Sequence, residues 1–168
     1  ALHEGSYDAV FSATAFHWVD PAVGWAKAAS ALESRGLLAL LTHIGIHDER
    51  STALEQQLLE LLREHAPALA EDWKFPLTLE AVVAGANERA SNASEVWDWI
   101  MGEGRHALAI PRVAALFDGV HVTTVLAREE QTADEVLAHM RTTSVYFMFS
   151  PDRRQAFESD YRRLIESH

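Results

Sequence analysis

Two stretches of this chain, YDAVFSATAF from Tyr7 and GLLALLTH from Gly36, are apolar without alternation over residues 9–11 and 37–41. A strand open to water on one side alternates apolar and polar side chains, so an unbroken run marks a strand buried on both faces, the habit of parallel sheets. Between the two runs, Asp20 and Pro21 supply an N-cap and a first-turn proline. The segment AVGWAKAASALES then carries Val23, Ala26, Ala29, Ala31 and Leu32 as an apolar stripe, and Gly36 is placed to close the helix as its C′ residue. Strand, helix of about a dozen residues and strand form a βαβ unit, for which a right-handed crossover is expected.

Beyond this unit the pattern is mainly helical. TALEQQLLELLREH sets Leu54, Leu58, Leu61, Leu62 and His65 on one side, has Thr52 and Glu55 in capping-box spacing, and stops at Pro67. A weaker helix is expected around Thr78 to Ala86, a short one over SEVWDWIMGEG, and another over residues 111–117. Residues 120–127, VHVTTVLA, are β-branched enough around Val120, Val122 and Val125 to predict a third strand. Thr132 with Glu135 opens a further capping box, and Ser150 with Pro151 starts a last helix through Leu164. The whole reads as one α/β domain over residues 1–168, with residues 69–112 as an insertion between the second and third strands.

Composition excludes several function classes. With 14 basic against 25 acidic residues the net charge is −11, so no basic face is available to neutralise phosphates, and nucleic acid and anionic membranes are poor partners. The longest apolar run is far short of the roughly 20 residues a bilayer needs, and ALHEGSYD lacks the charged-then-apolar order of a signal peptide. A cytoplasmic location is expected. The absence of cysteine removes a disulfide framework, a thiolate nucleophile and Cys-type zinc sites. Three strands at most are too few to shield one another, so other residues or another chain should cover the open edge, a homo-oligomer through that edge being one solution.

The run GSYDAVFSATAFHWVDPAVGWAKAASAL followed by GLLALLTH resembles the middle of a class I S-adenosylmethionine-dependent methyltransferase, of the small-molecule, methyltransferase type 11-like kind. That family's fourth strand reads FDxVxSxxAxHWxD and its fifth follows a Pro-Gly-Gly turn, for which SRG stands here at residues 34–36. VHVTTVLAREEQTADEVLAHMRTTSVYFMFSPDRRQAFESDYRRLIES is similar to the family's sixth strand and the helices after it, while residues 73–112 match poorly. The resemblance implies a partial Rossmann-like fold: a few parallel strands, one later strand and helices. The family's E/D-x-G-x-G-x-G loop and the acidic residue ending its second strand do not occur here, so the chain is expected to be the C-terminal part of such an enzyme, with the cofactor-loop half missing.

In open parallel sheets ligands bind beyond the carboxyl ends of the strands, which here carry residues 12–18 on one strand and Thr42 and His43 on the next. Methyl transfer needs alignment, and a base only where the acceptor keeps its proton; His17 is the candidate for that base. A packing reading stays open beside it, in which His17 and Trp18 wedge against the following helix. The resemblance and the carboxyl-end rule together assign Ala13, Thr14 and Phe16 to S-adenosylmethionine in the full-length protein, and Trp18, His43 and Trp97 to a small-molecule acceptor. Trp73, Phe75, Trp97, Trp99 and Met101 fall in the insertion, where this family builds its substrate cover. His43 and His47, four apart, lack a positioned third ligand, and no metal is expected. The alternative function is a non-catalytic binding or assembly module that keeps the scaffold.

Overall fold

The computed structural model describes residues 3–71, 73–101 and 110–168. They form two compact units, the first made of Ala1–Ile46 with Leu77–Thr124, the second of His47–Pro76 with Val125–His168.

The first unit is built on the βαβ element. β1 (Tyr7–Ala13) pairs in parallel with β2 (Leu32–Leu41), and α1 (Pro21–Ala31) joins them. Asp20 caps α1 as expected, accepting from the Ala22 N–H at 2.9 Å with Pro21 at the first position. The helix ends earlier than its sequence suggests. Leu32 is buried and pairs with Tyr7, so the chain enters β2 at once, and Gly36 belongs to an irregular start of that strand instead of closing the helix. Between the pairs Tyr7↔Leu32 and Ala9↔Leu37 the register slips, with Arg35 in the left-handed region at φ 71°. A Cβ on Gly36 would lie 3.0 Å from the Glu33 carbonyl, so glycine suits this bend. The buried stripe of α1 is also displaced from the one read off its sequence: Gly24, Trp25, Ala28 and Ala31 face inward, whereas Val23 is exposed. Trp25 decides this, because the largest apolar side chain gains most from burial.

Among the described residues, one face of the sheet is covered. Leu38 and Leu40 pack on the core formed by Phe16, Trp25, Trp97 and Val113. The opposite face carries the paired rows Ala9–Leu37, Phe11–Ala39 and Ala13–Leu41, with Phe11 69%, Leu37 57% and Leu41 52% exposed. Burial on both faces, expected from the unbroken apolar runs, is therefore not what these residues achieve. The expected third strand is absent as well. Residues 120–127 have no regular structure and Val125 is 90% exposed. A strand exists through its ladder partner, and β-branched composition alone does not supply one. The rest of this unit comprises α4 (Leu79–Glu88), α5 (Ala93–Ile100) and a 3₁₀ turn at Pro111–Ala115, shorter and tighter than the helix expected over residues 111–117. Thr78 and Asn92 cap α4 and α5 through their side chains.

The second unit is helical: α2 (Thr52–His65), α3 (Pro67–Glu71), α6 (Ala133–Met140), α7 (Ser144–Met148) and α8 (Pro151–Glu166). Leu62, Phe149 and Phe157 form its core, with Leu58, Leu61 and Trp73 packed around them, so the inward side of α2 is the one its spacing predicts. Trp73 and Phe75 thus belong to this unit and Trp97, Trp99 and Met101 to the other, which divides the expected insertion. The capping box of Thr132 and Glu135 forms as read, and it holds the Glu135 carboxyl below its usual range through the Thr132 backbone N–H. The box expected at Thr52 does not form: Ser51 occupies the N-cap and its hydroxyl donates to Glu55 at 2.6 Å.

Glu158 ties three elements of this unit together. It receives a two-pronged hydrogen bond from the Arg141 guanidinium, at 2.9 and 2.6 Å, and another from the Tyr146 hydroxyl at 2.6 Å. The Arg141 bonds, with help from Tyr146, draw the Glu158 carboxyl down from 4.5 to about 2. A depressed carboxylate stabilises the folded state above its unfolded value and loses that contribution as pH falls through the folded one. Glu158→Gln is therefore expected to lower stability by up to about 1 kcal/mol near neutral pH and by progressively less between about pH 4.5 and 2. Denaturant titrations of both proteins across that window measure the difference, and a gap independent of pH would contradict this assignment.

Candidate functional site

The turn at the carboxyl end of β1 is held in an unusual backbone geometry. Thr14 lies in the left-handed region at φ 49°, which costs a non-glycine residue on the order of 1 kcal/mol and persists only where its surroundings fix it. Two anchors do so. The Thr14 N–H donates to the Leu41 carbonyl at 2.9 Å, extending the β1–β2 ladder by one residue, and two positions later Phe16 is buried in the core. Phe16, His17 and Trp18 then form a single 3₁₀ turn that runs through Val19 into the Asp20 cap. Gly24 permits the close approach of that turn to α1, since a Cβ there would come within 2.7 Å of Val19.

An aromatic cluster locks the turn. The Phe16 ring meets Trp25 edge to face at 4.8 Å between centroids and Trp97 at 6.0 Å, linking the end of β1 to α1 and α5. Trp25 in turn meets Phe117 at 6.1 Å. Arg112 donates to the Ala22 carbonyl at 2.6 Å, and the Thr42 hydroxyl reaches Met101 Sδ at 3.5 Å. The turn is therefore fixed from three sides while its outer surface stays open.

The expected site residues separate into distinct environments. Ala13 and Thr14 are exposed on the rim, reachable by a ligand without displacing anything. Phe16 and Trp97 are each 8% exposed and spend their rings on one another and on Trp25, so they build the wall of the site and not its surface. Trp18 is 77% exposed, its ring 4.9 Å from the imidazole of His17. His17 itself is half-buried, with Nδ1 enclosed and without a hydrogen-bond partner among the described residues. His43 is exposed in the segment after β2 and does not line the cavity beside His17. That cavity, about 20 Å³, lies between the turn, the start of α1 and the inner side of α5. It is a small recess, partly open to solvent. Sequence reasoning missed Ser94 and Asp98, which line the same cavity. The signal was present, because Ser94, Trp97 and Asp98 are three and four residues apart and share one side of α5.

Other polar groupings are structural. In the second unit, Glu64, His65 and Asp160 bring ligand-type atoms within 4.8 Å of one another. His65 Nε2 is hydrogen-bonded to Asp160 at 2.8 Å, and Arg163 is a further partner of that carboxylate. The bond to His65 is the main cause that holds Asp160 below its ordinary value, so this donor set is already engaged in joining α2 to α8. His47 pairs with Glu55 at 2.9 Å and lies in the second unit, whereas His43 lies in the first. Asn92, the first residue of a glycosylation-type triplet, is 4% exposed and serves as the cap of α5.

No family model, no curated protein and no solved structure matches this chain. Among the described residues no helix is long and apolar enough to cross a membrane.

The division between wall and surface is measurable. Phe16→Ala should destabilise the first unit by about 3 to 5 kcal/mol, the range for emptying a buried aromatic site, whereas Trp18→Ala should stay within about 0.5 kcal/mol of the parent. Denaturant unfolding followed by tryptophan fluorescence compares them; equal losses would place Trp18 in the core.

Proposed function

We propose that this chain carries the acceptor-facing part of an S-adenosylmethionine-dependent methyltransferase acting on a small molecule. One observation carries the reading: two adjacent parallel strands joined by a helix end in a rigid turn that presents small residues and a histidine beyond the strand's carboxyl end, where ligands of open α/β sheets bind. The resemblance of the run from Gly5 to Leu32 to the corresponding part of that family supports it. A cytoplasmic location belongs to the same proposal and rests on the acidic composition and the lack of cysteine.

The residues present fit one wall of a cofactor site. Ala13 and Thr14 offer an exposed, small-sided rim that a flat or extended molecule can approach closely. The E/D-x-G-x-G-x-G pattern does not occur in the sequence, whose nearest glycine cluster is Gly102 and Gly104, so the proposal requires that loop from outside these 168 residues. Bound S-adenosylmethionine would supply an electrophilic methyl group. His17 holds or accepts the acceptor's proton, Trp18 offers an exposed aromatic face against which the acceptor packs, and Phe16 and Trp97 keep the turn from moving during transfer. His43, two residues beyond the end of the neighbouring strand, is assigned to the acceptor on the same carboxyl-end rule.

The 168-residue chain alone should bind S-adenosylmethionine weakly or not at all by calorimetry, and micromolar affinity would show that the loop is not required. In a protein that includes such a loop, His17→Ala should cost about 10² to 10⁴ in turnover with cofactor affinity nearly unchanged. A variant that loses stability but keeps its rate would make His17 a packing residue and withdraw its catalytic role.

A second reading is favoured by the open sheet face, where Phe11, Leu37 and Leu41 lie exposed. On this reading the chain is a non-catalytic binding or assembly module that associates with another copy through the uncovered sheet. Sedimentation should then show a concentration-dependent dimer that Phe11→Asp abolishes, and a monodisperse monomer at all concentrations would rule it out.

A further inference from the structure

The segment leading into α2 joins a hydroxyl, an imidazole and a carboxylate in one chain of contacts, all within the second unit. The arrangement is local. The Asp48 carboxylate accepts from the Arg50 backbone N–H at 3.0 Å and from Arg128 at 3.2 Å, and the Asp48 carbonyl accepts from the Ser51 N–H at 2.8 Å. This turn sets His47 back against the start of α2. Because Ser51 takes the N-cap, the Thr52 hydroxyl is not spent on capping. Its partner is His47 Nε2 at 3.5 Å, and His47 Nδ1 lies 2.9 Å from Glu55 Oε2. Glu55 is held through its other oxygen by the Ser51 hydroxyl at 2.6 Å.

The proton positions follow from the groups themselves. A carboxylate only accepts, so in the neutral ring the Nδ1 that faces Glu55 is the N–H, and Nε2 carries the lone pair. That lone pair can receive only the Thr52 hydroxyl hydrogen. Hydroxyl, base and orienting carboxylate in this order are what turns a weak alcohol into a nucleophile, and 3.5 Å is within the looser spacing such pairs have before a substrate tightens them. The Glu55 side chain is 13% exposed and that of His47 26%, so the carboxylate is shielded while the imidazole stays reachable. The pair that ties this segment to α2 thereby also aims the base.

We propose that Thr52, His47 and Glu55 form an acyl-transfer site that cleaves small activated esters. Thr52 Oγ attacks the ester carbonyl carbon while its proton passes to His47 Nε2. The oxyanion forms on a carbon bonded to Thr52, hence at the start of a 14-residue helix, where the spare first-turn N–H groups and the helix dipole favour negative charge. Collapse breaks the bond to the alcohol, which departs with the proton from His47 and leaves the acyl group as an ester on Thr52. Water then adds to that ester, giving its proton to His47; the carboxylic acid leaves as Thr52 recovers a hydrogen. Glu55 touches no reacting atom and is a positioning residue. The Thr52 oxygen is crowded by its own methyl group, so the acyl group it takes is short and unbranched. Nothing here depends on the methyl-transfer reading, whose residues belong to the first unit.

The probe is p-nitrophenyl acetate, added to the 168-residue chain, quenched in acid and followed by peptide mass spectrometry. One acetyl group is expected on Thr52, removable by hydroxylamine as an ester is and as the amides formed on lysines are not. Thr52→Val should lose that adduct. His47→Gln and Glu55→Gln should each slow acetylation of Thr52 by at least about tenfold with circular dichroism unchanged, and Glu55→Gln should do so in the limiting rate and not in the half-saturating ester concentration. Should one of these two unfold, the other decides. The proposal is overturned by a parent chain without a hydroxylamine-sensitive acetyl group on Thr52, by an acetyl group on Ser51 in its place, or by a smaller loss of rate in a folded His47→Gln or Glu55→Gln.

Discussion

The edge-to-face packing of Phe16 between Trp25 and Trp97 is the contact on which the first unit depends. Phe16 belongs to the turn after β1, Trp25 to the α1 helix that follows it and Trp97 to the distant α5, and the three share one desolvated cluster. Each aromatic ring buries on the order of 150 to 250 Å² of surface, and the edge-to-face geometry adds about 0.5 to 1.5 kcal/mol per pair. That is enough to hold Thr14 in a backbone region it would otherwise avoid. Rigidity at the rim is therefore produced underneath it, by residues that present almost nothing to solvent.

A consequence is the contrast within one tripeptide. Phe16, His17 and Trp18 occupy a single 3₁₀ turn, in which successive side chains point about 120° apart. One goes into the core, one lies along the boundary and one projects into solvent. The boundary residue, His17, is half-buried, with its Nδ1 enclosed.

The second unit is held by different means. Its apolar core of Leu62, Phe149 and Phe157 is supplemented by charged pairs that link helices, His65 to Asp160 between α2 and α8 and Arg141 to Glu158 between the end of α6 and α8. Such pairs add little each at an exposed surface, but they fix which side of α8 faces which neighbour. Towards the end of α8, Arg162 pairs with Asp134 and Glu166, and Arg163 with Asp160.

Local chemistry made much of this legible. Asp20 with Pro21, Thr132 with Glu135, and the spacing of Leu58, Leu62 and His65 each act within one or two turns of chain, and the elements they announce are present. The order strand, helix, strand was likewise set by apolar periodicity and one cap. Other features needed the folded chain. Leu32 left α1 because a ladder partner, Tyr7, was available to it; residues 120–127 stayed irregular because no partner was, among the described residues; and α2 took in Thr52 as its first residue, with Ser51 at the N-cap. The rim residues could be picked out from the sequence by the rule that ligands bind beyond strand ends, but the groups behind them could not. Ser94 and Asp98 stand near position 17 only because Phe16 and Trp97 pack together, and hydrophobic contact between segments about eighty residues apart carries no local signature. Periodicity and capping chose the elements; burial of large aromatic surface chose which of them meet, and with that choice the environment of His17.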